Sequence, residues 1–146
     1  MIQVATVQEV KAAAELALLL WPDNALETFI QEMTELIMHP EAAIMLAYDA
    51  EEAIGFAQCQ LRHDYVEGTS TSPVGYLEGL SVKEAFRKQG MARELIRACE
   101  KWAKEKGCRE FASDCELANV ESINMHLKLG FLETNRVVCF TKELEE

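Results

Sequence analysis

The 146-residue sequence lacks the marks of several protein classes. Its five cysteines include no C-x-x-C pair and its three histidines are scattered, so we expect no metal site. No apolar run is long enough to span a bilayer, and the N-terminus has no basic segment typical of a signal peptide. Repeats and low-complexity segments are also missing. The length therefore suggests a single domain over residues 1–146.

Basic residues are scarce as well. The chain has 14 Lys and Arg against 25 Asp and Glu, a net charge of −11. Nucleic acids bind to basic surfaces, so this balance argues against a nucleic-acid partner. It fits a cationic small molecule, which an acidic protein attracts, although the charge could simply maintain solubility. The odd cysteine count and the absence of paired motifs favour reduced thiols in a cytoplasmic protein.

Apolar residues make up 49% of the sequence, enough for a sizeable core. Thr6 and Glu9 form a T-x-x-E capping box before a helix with one apolar face, which Pro22 ends. Asn24, with Glu27 three residues on, is predicted to cap a second helix, which stops at His39-Pro40. A hairpin of two strands follows, over 43–48 and 53–61.

A long connection, Arg62 to Gly75, then separates the hairpin from the stretch that organises the chain. Loops of this length in small domains are usually functional or disordered, and Asp64, Tyr65 and Glu67 favour a functional one. Near the C-terminus, Leu132 to Lys142 is rich in β-branched residues and predicts one long strand.

The organising stretch is G-Y-L-E-G-L-S-V-K-E-A-F-R-K-Q-G-M, Gly75 to Met91. It predicts a strand over 76–82, a short loop, and a helix opening near Gly90, where unpaired N–H groups would suit a phosphate. A Walker A loop and a dinucleotide fingerprint are both excluded by the glycine spacing. Gly90 could also merely ease the turn. The helix is predicted to end at Gly107, with a parallel strand at 110–113.

A second motif, N-V-E-S-I-N-M-H-L-K-L-G-F from Asn119 to Phe131, accompanies this stretch. Together they resemble motifs A and B of the GNAT family of acetyl-CoA-dependent N-acetyltransferases, over roughly Ala43 to Leu144. Four further stretches, L-W-P, Y-V-E-G-T, S-P-V-G-Y-L-E-G and F-A-S-D, resemble the aminoglycoside 6′-N-acetyltransferases within that family. The resemblance implies an α/β (α+β mixed) fold, in which helices flank a central mixed, mostly antiparallel sheet with splayed parallel strands at the coenzyme site.

The resemblance also implies where acetyl-CoA, the co-substrate, would bind. Its pantetheine amides would pair with the backbone of the organising strand, and Asn119 would contact the coenzyme arm. The pyrophosphate would lie on the loop and the first turn of the helix. The implied residues are Leu80, Ser81, Val82, Arg87, Lys88, Gln89, Gly90, Met91, Ala92 and Asn119.

The acceptor amine needs anionic partners, because an alkylammonium with a pKa of roughly 10 is mostly charged at neutral pH. Glu78 and Asp114 lie near the C-terminal halves of two strands predicted to be neighbours, where they could bind an ammonium and accept its proton. Alternatively, Asp114 caps a turn and Glu78 is a solvated strand residue. The resemblance favours pocket roles, with Trp21, Tyr65, Glu78 and Asp114 lining the substrate site.

His126 stands where many GNAT proteins have a tyrosine that protonates the departing thiolate. Histidine could serve as this acid, since its unperturbed pKa is near 6.5, or it could only hydrogen-bond or fill the helix face. We therefore expect an enzyme that acetylates the 6′-amine of aminoglycosides or another small polyamine. A non-catalytic acyl-CoA-binding module is the alternative, although it would need no acidic amine pocket. A homodimer is expected, with 132–142 near its interface.

Overall fold

The computed structural model describes all of residues 1–146. Contacts divide them into two units, Met1–Asp114 and Cys115–Glu146, which are described separately. The first unit holds a one-turn 3-10 helix at Val7–Glu9, another at Glu84–Phe86, and most of the regular elements. Its strands and helices are β1 (Ile2–Val4), α1 (Val10–Leu20), α2 (Leu26–Met38), β2 (Ala42–Asp49), β3 (Glu52–Arg62), β4 (Val74–Val82), α3 (Met91–Glu105) and β5 (Phe111–Ser113).

The strands form one sheet in the order β1-β2-β3-β4-β5. All neighbours are antiparallel except β4 and β5, which run parallel, so the predicted mixed, mostly antiparallel sheet is confirmed. The crossover between β4 and β5 is α3, as the spacing predicted. β1 was not predicted, because three residues carry too little periodicity to identify a strand.

Two layers of helix bury the sheet. A cluster on the side of α1 and α2 joins the apolar stripes of both helices to β2 and β3: Ala13, Ala14, Leu16, Ala17, Phe29, Met33, Ile44, Leu46 and Phe56. α3 buries Leu95, Ile96, Cys99 and Ala103. Cys59, Cys99 and Cys108 are buried free thiols, which agrees with the prediction of reduced cysteines.

A β-bulge in β4 reverses the direction of its side chains. Gln58 pairs with Gly79 and Cys59 with Leu77, so Glu78 is an extra residue between two pairs. A Cβ on Gly75 would lie 2.6 Å from Ala103 of α3, whereas one on Gly79 would lie 2.5 Å from the ring of Trp21. In a regular strand, residues four apart share a face, but Gly75 and Gly79 face opposite helices. The bulge therefore turns the Gly79 position towards the C-terminus of α1.

The helix starts differ in part from the sequence prediction. Thr6 and Glu9 do form the capping box, but it caps the 3-10 turn that leads into α1. The predicted cap of α2 was wrong, because the N-cap residue is Ala25 and the Asn24 amide instead donates to the Trp21 carbonyl, at 3.2 Å. Asn24 thus fixes the turn between α1 and α2.

The second unit contains one helix, α4 (Val120–Lys128), which lies within the motif from Asn119 to Phe131. The predicted strand over 132–142 was wrong: the segment has no regular secondary structure and its residues are exposed. A strand needs a neighbour for its backbone N–H and C=O groups, and composition alone cannot supply one. None of the four helices combines the length and apolarity that a membrane crossing requires.

Candidate active site

The parallel strands separate where the predicted carboxylates lie. β4 and β5 pair through only three residues, the last pair being Leu77 with Ser113. β4 continues to Val82, while β5 ends at Ser113. Glu78 and Asp114 are the residues that directly follow this last pair in the sequence. The end of the ladder therefore brings both carboxylates to the same edge of the sheet, at the opening between the strands.

Arg62, the last residue of β3, connects these groups. Its Nε donates to one oxygen of Glu78 at 2.9 Å and its Nη2 to the other at 2.8 Å. The guanidinium also lies 3.5 Å from the centre of the Tyr76 ring. The Glu78 side chain is only 17% exposed, so this bidentate pair is partly shielded from water. The hydrogen bond to Glu78 is the main cause that raises the pKa of Arg62.

Tyr76 continues the chain of contacts to the second carboxylate, because its hydroxyl donates to Oδ2 of Asp114. Burial first, and then this hydrogen bond, raises the pKa of Tyr76 far above its usual value. The phenol therefore remains a donor. Glu78, Arg62, Tyr76 and Asp114 form what we term the amine network. With two carboxylates and one guanidinium, its net charge is −1.

Trp21, which follows α1, packs in the core and also borders a pocket. Its ring lies 5.9 Å from that of Phe29 and 6.4 Å, edge-on, from that of Phe56. It also borders an open pocket of about 220 Å³, whose lining is Trp21, Asn24, Phe29, Glu32, Met33, Leu36 and Gln58. Since the same ring abuts Gly79, next to Glu78, it is both a core contact and a wall beside the amine network.

Tyr65 lies in the long loop and is 77% exposed. Its neighbour Val66 is buried against Val74 and Tyr76, which holds this part of the loop to β4. An exposed aromatic ring beside a fixed anchor is well placed to contact a ligand.

The far end of the same loop is held by Glu110, which the sequence analysis overlooked. Its Oε1 accepts from the Ser70 amide at 3.0 Å, from the Thr71 amide at 2.8 Å and from the Thr71 hydroxyl. These bonds, the Thr71 hydroxyl first, lower the pKa of Glu110. The loop is thus tied directly to the start of β5.

The loop before α3 ends, as predicted, at a glycine that opens the helix. Gly90 is the N-cap residue with φ +86°, and it offers no side chain to pair with the first N–H groups of the helix. A Cβ on Gly90 would meet nothing within 4 Å, so the space in front of the helix is open. Arg87 donates from Nε to the Val82 carbonyl at 2.9 Å, which ties the loop to the end of β4. Lys88 has φ +63°, the left-handed region.

Asn119 and His126 lie on α4 in the second unit. Asn119 is the N-cap residue, and its Oδ1 accepts from the Ser122 amide at 3.1 Å. His126 Nδ1 lies 2.7 Å from the Ser122 carbonyl, and the ring meets Phe131 edge-on at 5.0 Å. Because a carbonyl only accepts, Nδ1 carries the hydrogen. The imidazole would therefore act as an acid from Nε2, in its doubly protonated form.

Comparison with known proteins identifies the family. A family profile described as "Acetyltransferase (GNAT) family" matches residues 10–131, which is most of the chain. The chain belongs to the GNAT acetyltransferase family. This confirms the resemblance inferred from the two motifs, and with it the fold.

Curated GNAT relatives are similar over nearly the whole chain. An aminoglycoside N(6′)-acetyltransferase type 1 of Acinetobacter haemolyticus is 47% identical over 126 residues, 86% of either protein. Another from Stenotrophomonas maltophilia is 43% identical and covers 99% of this chain and 94% of its own length. Among solved structures, AAC(6′)-Iy in complex with the bisubstrate analogue CoA-S-monomethyl-acetylneamine has a TM-score of 0.94 at 37% identity, covering 99% and 98% of the two chains.

The structure thus brings together Glu78 and Asp114, as predicted, and adds two residues that sequence analysis missed. Arg62 had been assigned to the start of a loop, and Tyr76 only to the start of the organising strand. A signal for Arg62 did exist, since an arginine near a carboxylate on the next strand is a common cross-strand pair. The bulge, however, hides the register that would have joined it to Glu78.

Proposed function

We propose that this GNAT enzyme transfers the acetyl group of acetyl-CoA to the 6′-amine of aminoglycoside antibiotics, by direct attack in a ternary complex. The observation that carries the proposal is the position of Glu78 and Asp114 immediately after the last pair of the parallel ladder. The opening between the strands is where the ligands of parallel strands collect. Similarity to 6′-acetyltransferases over most of the chain supports the same substrate class.

Acetyl-CoA would enter from the side of α3. The unpaired first-turn N–H groups, including those of Met91 and Ala92, and the positive end of the helix dipole suit its pyrophosphate. Lys88 and Gln89 belong to the same loop, whose shape is held by Arg87. Beyond the bulge, the backbone of Leu80, Ser81 and Val82 is positioned to pair with the pantetheine arm and to polarise the thioester carbonyl.

The acceptor would bind first as an ammonium, attracted by the net negative amine network. Glu78 and Asp114 each retain lone pairs beyond those that accept from Arg62 and Tyr76, so either could take the proton directly or through water. The freed amine nitrogen then attacks the thioester carbon, the C–S bond breaks, the nitrogen loses its second proton to water, and the thiolate takes a proton. His126, when doubly protonated, is our choice for that donor, with Asn119 holding the coenzyme arm.

Trp21 and Tyr65 would contact the sugar rings. The Trp21 ring forms a fixed wall because Phe29 and Phe56 hold it from behind. Tyr65 offers an exposed ring that can adapt to the ligand. Aromatic rings combine apolar contact with specific geometry, which suits sugars that carry several ammonium groups.

Thiol release from acetyl-CoA tests the proposal. Kanamycin and tobramycin should each stimulate release, whereas linear polyamines such as spermidine should stimulate it far less. Faster release with the linear polyamines would mean that the protein is an acetyltransferase for a different class of amines. Binding of acetyl-CoA without release on any amine would favour the non-catalytic binding module.

We also propose that two copies of the chain associate through residues 132–142 and that the protein works in the cytoplasm. Five large apolar side chains at this end are each at least 70% exposed: Leu132, Val137, Val138, Phe140 and Leu144. The segment is β-branched yet has no partner strand, and a second copy could supply one. The cytoplasm contains acetyl-CoA and would keep the exposed thiols of Cys115 and Cys139 reduced.

Light scattering tests the association. The wild type should have the mass of a dimer at micromolar concentration, and Phe140→Asp should shift it towards the monomer. Leu19→Asp is a matched control, because Leu19 is also an exposed apolar residue but belongs to α1. A monomeric wild type would contradict the proposal.

A further inference from the structure

The amine network contains a cation where the substrate itself would be cationic. Arg62 is held on one side by both oxygens of Glu78 and on the other by the face of Tyr76. A flexible ammonium could not make both contacts, since the paired hydrogen bonds and the stacking both require a planar fork. The arrangement is therefore built for arginine.

We propose that Arg62 is a positioning residue that fixes Glu78 and limits the net charge of the amine site to −1. The inference rests on the proposed function. Its geometric basis is one unbroken set of contacts from Glu78 through Arg62 and Tyr76 to Asp114. An acceptor amine bound there meets one net negative charge rather than two.

That charge matters because the amine must lose a proton before it can attack. A carboxylate close to an ammonium favours the charged form, and a second uncompensated carboxylate would favour it further. Without Arg62 the acceptor would bind well but hold its proton more tightly. Arg62 would thus lower the affinity for the charged acceptor and raise the population of its reactive, neutral amine at a given pH.

The groups that face this site are few. Glu78 and Tyr76 of β4 and Asp114 after β5 act electrostatically on the Arg62 guanidinium. Leu20, the last residue of α1, and Trp21, directly after it, approach β4 with uncharged side chains. α2 contributes Glu32 to the pocket beside Trp21. All of these groups except Glu78 are unchanged in every variant below.

The pH dependence of kcat, measured at saturating concentrations of both substrates, tests this role. Arg62→Met changes the site charge from −1 to −2. The acid limb of the profile, where kcat falls at low pH because the amine is protonated, should therefore move to higher pH by about one unit or more. Arg62→Lys keeps the charge but loses the fork and the stacking contact. Its limb should stay in place, while kcat/KM for the amine falls by about tenfold, as for a lost charged hydrogen bond.

A compensating double variant separates charge from damage to the fold. Arg62→Met with Glu78→Gln returns the site charge to −1, and the acid limb should move back towards that of the wild type. Glu78→Gln alone brings the charge to zero and should move the limb to lower pH. If Arg62→Met does not fold, the opposite shift in Glu78→Gln and the return in the double variant still decide the proposal. Circular dichroism monitors folding in each case.

Lys11→Met is the control for overall charge. Lys11 pairs with Glu15 on the exposed surface of α1, so its loss changes the net charge of the chain by the same amount as Arg62→Met. Its acid limb should match that of the wild type. An acid limb that stays in place in all variants of Arg62 and Glu78, with a wild type that acetylates amines, would overturn the role of Arg62 alone. A wild type that acetylates no amine would overturn the proposed function as well.

Discussion

Two regions of this molecule approach the same opening and are built on different principles. The coenzyme loop, 87–92, depends on backbone: a left-handed glycine, an uncapped helix start, and one side chain that ties the loop to β4. The amine network depends on side chains from three separate stretches of the chain. The first is local in sequence, whereas the second exists only after β3, β4 and β5 have aligned.

The difference indicates how each region can change. A loop that recognises phosphate through backbone N–H groups tolerates many side chains, provided that the glycine and the helix start remain. A network of paired charges does not, since removal of one member leaves its partner uncompensated. Substrate specificity should therefore respond to single substitutions in the amine network, whereas coenzyme binding should respond mainly to changes in backbone shape.

Asp114→Asn should give the largest effect, and the effect should separate the amine network from the coenzyme loop. It keeps the shape of Asp114 and removes its charge, so the acceptor loses a charged hydrogen bond worth about 1.5–3 kcal/mol. The KM for a polycationic aminoglycoside should rise strongly, while the KM for acetyl-CoA stays close to that of the wild type. Steady-state kinetics with each substrate varied in turn measure both. A parallel rise in both constants would mean that the two regions are not separate.

Gly90→Trp should have the converse effect. A large side chain in the open space before α3 should obstruct the pyrophosphate and weaken acetyl-CoA binding by about tenfold or more, which corresponds to about 1.4 kcal/mol. Gly107→Trp is a matched control at the other end of the same helix. Gly107 has φ +92° and open space around its Cβ position, so it shares the backbone strain but not the site. Calorimetry should find weaker binding only for Gly90→Trp, and equal losses would attribute the effect to strain.

The backbone of the 87–92 loop could be predicted from the sequence more fully than the contacts of the amine network, for a physical reason. The R-K-Q-G-M-A pattern contains both the glycine and the helix start, so local chemistry sufficed. Glu78 and Asp114 could be proposed from the sequence because Glu78 lies within a predicted strand and Asp114 directly follows the neighbouring one. Arg62 was missed because its contact spans 16 residues and depends on the bulge at Glu78. The prediction of a strand over 132–142 was wrong for a similar reason, since strand pairing is not a local property of the sequence.

A smaller effect is expected from the bond that fastens the substrate loop. The pKa of Glu110 is lowered, chiefly by the Thr71 hydroxyl and the Ser70 amide. A carboxyl of this kind stabilises the folded loop above its unfolded pKa, about 4.3, and loses that contribution as the pH falls through its lower folded value. Hydrogen exchange of the Ser70 and Thr71 amides, relative to the intrinsic rate at the same pH, should therefore accelerate in strong acid. Glu110→Gln should show the faster exchange already at neutral pH, and unchanged exchange would contradict the role.

The smallest effect is expected where charges are paired but exposed. Lys83 and Glu52 join the opposite end of the β3–β4 hairpin at 3.0 Å, with both side chains substantially exposed. Such pairs contribute about 0–1 kcal/mol, because water and salt screen them. Glu52→Gln should lower the free energy of unfolding by no more than this, as measured by urea denaturation. A larger loss would mean that exposure does not distinguish this pair from the one between Arg62 and Glu78.

The central claim is that the amine network presents a 6′-amine to the thioester. The most direct test compares neomycin with paromomycin, two aminoglycosides that differ in having an amine or a hydroxyl at the 6′ position. Thiol release from acetyl-CoA should be rapid with neomycin and should fall to background with paromomycin, although paromomycin should still compete for binding. Equal rates with the two compounds would show that another amine is acetylated and would contradict the account.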